Sequence, residues 1–230
     1  EPLRKIKFYA DKLMVKELSN LSSGSKADLE RIERAATRMQ NLVSDLIVYP
    51  QTTAGSHPKE VVDLHRVAEE VLQDMAEEIE RSGAQVELGP LCAGYGIPFQ
   101  IRQLFQNLLS NAIKFALPGQ VPQVAISSYI VNGAELALHE LTTDTVNCHI
   151  RVVDNGIGFP PEYNEKIFQL FQRLHSKDRY EGTGIGLAIV HKIVENHNGA
   201  IVAQGVPREG LTFNIYLPMS GEGLSSFAFP

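Results

Sequence analysis

DNGIGF at Asp154–Phe159 and GTGIGLAIV at Gly182–Val190 decide the fold, because each places several glycines close together. The glycines concerned are Gly156, Gly158, Gly182, Gly184 and Gly186. Without a Cβ in the way, backbone N–H groups at such positions can approach an anionic ligand. The second cluster runs into the apolar segment Leu187–Val194, and the N-terminus of a helix there would also favour phosphate. Together the two clusters predict a nucleotide site.

Two common glycine motifs do not fit these clusters. A Walker loop requires Lys and then Ser or Thr after its last glycine, whereas Leu187 and Ala188 follow Gly186. A dinucleotide-binding turn needs a third glycine where Ile189 stands, and an apolar strand where the charged KDRYEG stands. The DNG sequence alone is also typical of a simple β-turn, and for that cluster this interpretation stays open.

A third element lies upstream, in FQNLLSNAIKF at Phe105–Phe115. Apolar residues recur there at helical spacing and predict a buried face, while a second stripe of the same helix carries Asn107, Asn111 and Lys114. Asn is unfavourable inside a helix, so two of them one turn apart indicate a function rather than a plain solvated face. An amide oxygen can ligate Mg²⁺ and a Lys ammonium can bind phosphate.

In order along the chain, NxxxN with KF, then DNGIGF, IFQLFQRL, GTGIGLAIV and GLTFNIYLP resemble the N, G1, F, G2 and G3 boxes of the histidine-kinase catalytic domain. That domain belongs to the GHKL ATP-binding superfamily, which includes type II topoisomerases, a heat-shock chaperone and mismatch-repair ATPases. The resemblance covers Pro98–Pro218 and implies ATP and Mg²⁺ as cofactors. It implies that Asp154 accepts a hydrogen bond from the adenine amino group, that Phe115 flanks the base and that Thr212 lies near it.

On the phosphate side, the resemblance implies that Asn111 holds Mg²⁺ with Asn107 nearby and that Lys114 contacts phosphate. It also implies that the glycines of both clusters and Leu187 complete the nucleotide site. Asn107 and Lys114 are the catalytic candidates. In hydrolytic members of the superfamily the first N-box position is a Glu that acts as general base for water, and the amide of Asn107 cannot accept a proton at neutral pH. This choice favours the kinase branch over an ATPase clamp.

Composition and charge restrict the class of protein further. The chain has 230 residues and a net charge of −6, which argues against non-specific nucleic-acid binding. Cys92 and Cys148 stand far apart in the sequence, so we expect two free thiols in a reducing compartment. The histidines show no metal-ligand pattern and are expected at the surface or partly packed: His57, His65, His139, His191 and His197.

No apolar stretch of transmembrane length and no signal peptide is visible in the sequence. We therefore expect a cytoplasmic location, with any link to a membrane through a region upstream of this chain.

The N-terminal part follows a different pattern, with apolar residues spaced alternately by three and four. One series is Leu3, Ile6, Ala10 and Leu13, and the other is Leu29, Ile32, Ala36, Met39, Val43 and Leu46. With a turn at Leu21–Ser25, these series predict a helical hairpin that buries its stripes by pairing with a second copy into a four-helix bundle. A monomeric hairpin folded onto the rest of the chain is the alternative.

The hairpin resembles the dimerisation and phosphotransfer element of histidine kinases. The opening EPLRKI resembles the segment just after the phosphoacceptor His in phytochrome-like and PAS-linked members. The resemblance places that His about one helical turn, roughly 3.6 residues, before Glu1.

The predicted fold class is α+β, a hairpin followed by an α/β sandwich with a mixed sheet and helices on one face. We expect the hairpin at residues 1–49, a linker at 50–60, the ATP-binding domain at 61–220 and a tail at 221–230. Strands are predicted at 61–63, 84–88, 123–130, 146–153, 200–204 and 212–217, and one helix at Leu64–Arg81. Residues 132–147 carry no chemical signature.

Pro160–Thr183 is predicted to be a mobile lid over the nucleotide. Its basic residues are Arg173, Lys177 and Arg179, and Phe168 and Phe171 are expected to anchor its start.

These observations predict the kinase core of a two-component sensor histidine kinase. It would transfer the γ-phosphoryl group of Mg·ATP to a His of the hairpin for relay to an Asp of a response-regulator receiver domain. The expected assembly is a homodimer through the hairpin. A degenerate nucleotide-sensing module without phosphotransfer and a GHKL ATPase clamp are the alternatives.

Overall fold

The structure is a computed structural model that describes residues 2–16, 22–53, 58–132, 146–172, 174 and 183–219. Its helices are α1 (Pro2–Lys16), α2 (Ser23–Thr53), α3 (Leu64–Asp74), α4 (Ala76–Ser82), α5 (Pro98–Lys114) and α6 (Gly186–Asn196). Its strands are β1 (Glu60–Asp63), β2 (Gln85–Leu88), β3 (Ala93–Gly96), β4 (Gln123–Asn132), β5 (Val146–Asp154), β6 (Ala200–Val206) and β7 (Gly210–Pro218). Within the described ranges, no helix is both long and apolar enough to cross a membrane.

Five strands form the main sheet in the order β2-β4-β5-β7-β6. β2 runs parallel to β4, and the other neighbours are antiparallel, so the sheet is mixed. Alternate residues of β5 such as Ile150 and Val152 join a buried cluster with Leu108 of α5 and Ile189 of α6. This alternation gives the sheet one face for the helices. The predicted α+β class with a mixed sheet is confirmed.

A second, two-stranded sheet pairs β1 with β3 in antiparallel fashion. β1 follows the prediction, but β3 was not predicted because its sequence, AGYG, is short and contains two glycines. The end of this sheet is tied to α6 by His197, whose Nε2 accepts a hydrogen bond of 2.9 Å from the backbone N–H of Ile97. His197 is buried, so the expectation that it lies at the surface or is only partly packed was wrong.

The helix predicted over Leu64–Arg81 is in fact two helices. The Asp63 side chain caps α3 by accepting a hydrogen bond of 3.0 Å from the N–H of Arg66. The chain leaves helical geometry at Met75, where ψ is 8°, and resumes in α4. The Met75 side chain is buried in the core at this break, so core packing interrupts a sequence whose spacing alone predicts continuity.

The two N-terminal helices agree with the predicted apolar series, and α1 contacts α2. Ala10 and Ala36 are buried. α2 extends to Thr53, beyond the predicted start of the linker, and includes Pro50. It also contacts α6, and Leu42 packs against the main core. The connection at 17–21 lies outside the described residues, so the hairpin and its dimer stay predictions.

The expectation of two free thiols was wrong. Cys92, just before β3, and Cys148, in β5, form a disulfide with a Cα–Cα distance of 6.6 Å. They are 56 residues apart in the sequence, but the fold brings β5 next to the segment that precedes β3. The Ser128 hydroxyl of the intervening strand β4 donates a hydrogen bond of 3.1 Å to the Cys92 sulfur. Separation along a chain is therefore a poor guide to pairing in a folded sheet.

The other histidines named above divide between two groups. His65 and His191 are partly exposed and lie 3.7 Å and 3.3 Å from Glu69 and Glu195, each one helical turn away. His57 and His139 lie outside the described residues.

Candidate nucleotide site

Most of the site residues predicted from the sequence line one cleft. It lies between α5, the turn after β5 and the start of α6. The predicted residues that line it are Asn107, Asn111, Lys114, Phe115, Asp154, Gly158, Gly184, Gly186 and Leu187. Gly156 and Thr212 are not in its wall, and Gly182 lies outside the described residues. The three sequence motifs that predicted a nucleotide site therefore meet in space.

Asp154 ends β5 with its carboxylate in the wall of the cleft. Its Oδ1 accepts a hydrogen bond of 2.8 Å from the N–H of Gly156, and the N–H of Leu211 also donates to the carboxylate. Burial nevertheless raises the pKa of Asp154 from 3.8 to about 6, because the protein shields the charge from water more than the two N–H groups stabilise it. A partly desolvated carboxylate in a cleft is suited to accept a hydrogen bond from a ligand.

The DNG turn is held by the protein itself. Asn155 accepts a hydrogen bond of 2.9 Å from the N–H of Gln123 and donates one of 3.0 Å to the carbonyl of Val121. A Cβ at Gly156 would lie 2.6 Å from the carbonyl oxygen of Phe115. The packing of this turn against the end of α5 therefore requires glycine at position 156.

The polar stripe of α5 faces the start of α6. Asn107 Nδ2 donates a hydrogen bond of 2.9 Å to the backbone carbonyl of Gln103, one turn earlier. A Cβ at Gly186 would lie 2.7 Å from Asn107 Oδ1 and 3.9 Å from Asn111 Nδ2, so both amides lie beside the first turn of α6. The 11-residue helix that begins here presents the N–H groups of its first turn, which have no acceptor within a helix, and the positive end of its dipole.

Lys114 lies at the C-terminal end of the same stripe. Its ammonium group is 4.4 Å from the centre of the Phe115 ring, in the geometry of a cation–π interaction. Both residues line the cleft. A cation and an aromatic ring are thus available at the end of α5, as the prediction requires.

Thr212, like Gly156, is a predicted site residue that does not line the cleft. It lies in β7, opposite Val153 of β5. Its neighbours Leu211 and Phe213 line the cleft, and alternation along the strand turns Thr212 to the other face of the sheet.

Several cleft residues were missed by the sequence analysis. The apolar wall comes from Ile157, Phe159, Ile167, Leu174, Leu211 and Phe213, and further polar groups from Ser110, Gln172 and Thr183. Helical periodicity could have found Ser110, which lies three residues after Asn107 and four before Lys114. Alternation in GLTFNIYLP could have selected Leu211 and Phe213. For the others no local signal exists, because only the tertiary fold brings them to the cleft.

The predicted lid begins beside this cleft. Phe168 packs against His191 of α6 and Phe213 of β7, with ring centres 5.3 Å and 6.3 Å apart, as expected of an anchor. Phe171 is 59% exposed and does not pack in this way. Its N–H donates a hydrogen bond of 2.9 Å to the carbonyl of Gly184, which joins the segment to the second glycine cluster. The basic residues Arg173, Lys177 and Arg179 lie outside the described residues.

The cleft combines apolar side chains with one carboxylate, two amides, an ammonium group and the N-terminus of a helix. This combination is the kind of site that binds a nucleotide in an α/β sandwich.

Comparison with known proteins agrees with this class. Residues 96–221 match the family described as histidine kinase-, DNA gyrase B- and HSP90-like ATPase. The chain belongs to this family, and its sequence relatives include a sensor histidine kinase.

The phytochrome-like protein Cph1 of Synechocystis is 33% identical over 219 residues, which are 95% of this chain and 27% of the relative. The sensor histidine kinase CpxA of Escherichia coli strain K12 is 30% identical over 204 residues, which are 86% of this chain and 41% of the relative. The chain thus spans about a quarter of the phytochrome-like relative and less than half of CpxA.

Among solved structures, full-length ShkA in complex with AMPPNP has a similar fold, with a TM-score of 0.65 at 20% sequence identity. The match covers 96% of this chain and 44% of ShkA. This likeness supports the fold that the sequence predicted.

Proposed function

We propose that this chain is a histidine-kinase core that binds Mg·ATP and supports transfer of its γ-phosphoryl group to a His of the dimerisation helices. The observation that carries the proposal is the convergence of Asp154, the Asn107–Lys114 stripe and the start of α6 on one cleft. The AMPPNP in the ShkA complex supports the nucleotide part by analogy.

Each side chain has a distinct role in this proposal. Asp154 accepts a hydrogen bond from the adenine amino group, and Phe115 flanks the base. Lys114 and the N-terminus of α6 bind the phosphates by charge and by backbone N–H groups. Leu187 and the apolar wall exclude water from the nucleotide.

The donor set fits Mg²⁺. Asn111, with Asn107 nearby, offers neutral amide oxygens, and Mg²⁺ prefers oxygen ligands and is commonly held by a few protein groups together with substrate phosphates. When bound, the ion neutralises negative charge on the phosphates. Asn107 cannot act as a general base for water, so the residues favour transfer over hydrolysis.

The acceptor, the partner and the location belong to the same proposal. The predicted seam residues Ile6, Leu13, Ile32, Met39 and Val43 are each 44–48% exposed in a single copy. A second copy that covers them would form the four-helix bundle expected of the family, in a homodimer. The relay partner would be a response-regulator receiver domain, and the expected location is cytoplasmic.

The proposed metal role of Asn111 can be tested by replacing it with Ala. We expect the affinity for ATP measured with Mg²⁺ to fall by about tenfold or more, because an amide ligand is lost, while the affinity measured in EDTA changes little. Arg34→Ala on α2 is a control outside the cleft. Equal losses with and without Mg²⁺ would assign Asn111 to phosphate contact or helix packing instead.

Phosphoryl transfer needs a separate assay. A chain extended upstream of Glu1 should become labelled by γ-labelled ATP with acid-labile, alkali-stable phosphate, since imidazole is the expected nucleophile. Binding of Mg·ATP without labelling of that chain would favour the degenerate nucleotide-sensing module. Steady release of phosphate without labelling would favour the ATPase clamp.

A further inference from the structure

We propose that Gly186 and the backbone carbonyl of Gln103 are positioning residues for Asn107. They hold the Asn107 amide so that its oxygen faces the first turn of α6. This inference rests on the proposed Mg·ATP site and assigns Gly186 a task other than close approach of its backbone to phosphate.

The first step concerns the orientation of the amide. The carbonyl of Gln103 can only accept a hydrogen bond, so the group of Asn107 that lies 2.9 Å from it must be Nδ2. This contact determines which way the amide is turned. Oδ1 is then directed away from the helix axis of α5, towards Gly186.

The second step concerns the need for glycine at position 186. Gly186 begins α6 and is not among the glycines with a positive φ, so its backbone conformation suits any residue. Glycine is needed at this position because there is too little room for a Cβ. An added Cβ would lie 2.7 Å from Asn107 Oδ1, whereas the next atoms, Asn107 Cγ at 3.7 Å and Asn111 Nδ2 at 3.9 Å, are at ordinary contact distances.

These two contacts act on the same side chain from opposite ends. The atom that must move when Gly186 gains a Cβ is the end of a side chain, which can rotate without disturbing the fold. Rotation would break the Nδ2 bond to Gln103 and turn Oδ1 away from the start of α6. Gly186→Ala should therefore leave a folded protein in which one proposed oxygen donor is misplaced.

The test combines binding with a double-mutant cycle. We expect the ratio of the ATP affinity with Mg²⁺ to the ATP affinity without Mg²⁺ to fall roughly 10- to 100-fold in Gly186→Ala. This is the usual effect of losing a group that orients a metal ligand. The unfolding temperature should not fall, because Ala is the better helix former. In an Asn107→Ala background, Gly186→Ala should have no further effect on binding, because the side chain it displaces is absent.

Gly24→Ala is the matched control. Gly24 lies in the first turn of α2, where an added Cβ would find only the Ser22 hydroxyl at 3.8 Å. This variant makes the same chemical change near a helix start away from the cleft. It should leave ATP binding unchanged.

A readout without nucleotide separates this inference from the proposed function. In the NMR spectrum of the nucleotide-free protein, the side-chain NH₂ signal of Asn107, identified by its loss in Asn107→Ala, should shift in Gly186→Ala and stay in place in Gly24→Ala. An unmoved signal, or an equal loss of affinity on adding Gly186→Ala to Asn107→Ala, would overturn the inference. Failure of the wild-type protein to bind Mg·ATP would instead overturn the proposed function.

Discussion

At the scale of single residues, Asp154 is a group whose pKa the fold raises strongly. Its raised pKa means that the empty cleft holds a carboxyl group that ionises near pH 6 rather than near 3.8. An ionised carboxylate accepts a stronger hydrogen bond than a neutral carboxyl group, so the ionised form should bind the adenine amino group better. Nucleotide binding should therefore report the titration of this residue.

We predict that ATP affinity falls as the pH drops below about 6 and levels off about tenfold lower, because Asp154 is then mostly neutral and the loss cannot exceed that of removing the carboxylate. Asp154→Asn should bind more weakly at pH 7.5 and lose this dependence. Dividing the wild-type affinity by the Asp154→Asn affinity at each pH cancels the effect of the nucleotide's own titration, which is the same for both proteins. A ratio that stays constant between pH 5 and 7.5 would contradict the role of Asp154.

The same pKa has a consequence for stability. The folded pKa is raised, so the stabilisation from the neutral carboxyl is complete below pH 3.8 and is lost as the pH rises through 6. Without nucleotide, Asp154→Asn should raise the free energy of unfolding above pH 6 by on the order of 1–3 kcal/mol. Denaturant unfolding at pH 4 and pH 7.5 measures the difference.

At the scale of elements, sequence patterns predicted the parts of the site that lie on regular structure. The spacing of Asn107, Asn111 and Lys114 indicated one face of a helix, and that face lines the cleft. Asp154 was assigned through the resemblance of DNGIGF to the G1 box, and it ends β5 in the wall of the cleft. Thr212 was assigned by resemblance alone, although the alternation of β7 turns it from the cleft.

What the patterns could not show are contacts between elements. The burial of His197 depends on the position of Ile97, and the break at Met75 depends on core packing. The β1–β3 sheet and the disulfide likewise join segments that are remote in the sequence. Such contacts can be predicted only when the tertiary arrangement of the segments is already known.

The disulfide gives a prediction at this scale. Reduction should lower the free energy of unfolding by about 4 kcal/mol, the loop-closure entropy for a loop of 56 residues, and should lower the unfolding temperature. A Cys92→Ser/Cys148→Ser variant should not respond to the reductant. Two thiols that react in the unreduced native protein would show that the bond is absent.

The thiol state also bears on the cell compartment. Disulfides persist in oxidising compartments and are rare in the cytosol. Measuring the Cys92–Cys148 pair in cells would therefore test the proposed cytoplasmic location.

At the scale of the whole molecule, α2 connects two surfaces. Its Leu42 packs against the main core and α2 contacts α6, whereas Ile32, Met39 and Val43 remain half exposed. Burial of these side chains against a second copy would stabilise a dimer, since each large apolar side chain contributes roughly 1.5–3 kcal/mol when fully buried. The contact with α6 would place such a dimer next to the helix that begins at the nucleotide site.

We predict that Ile32→Glu combined with Met39→Glu gives a monomer in light scattering, because the seam would bury uncompensated charge. ATP binding should persist, since neither residue lines the cleft. Arg34→Glu, two residues from Ile32 and so on the opposite side of the helix, is the control and should remain dimeric. A dimer that survives both seam changes would place the interface elsewhere.

The central claim is that this cleft binds an adenine nucleotide with Mg²⁺, and one titration tests it most directly. A fluorescent ATP analogue should bind the wild-type chain in Mg²⁺, be displaced by ATP and not by GTP, and bind Asp154→Ala at least tenfold more weakly, because an unpaired adenine donor costs about 1–3 kcal/mol. Equal affinity of wild type and Asp154→Ala, or equal displacement by GTP, would contradict the account.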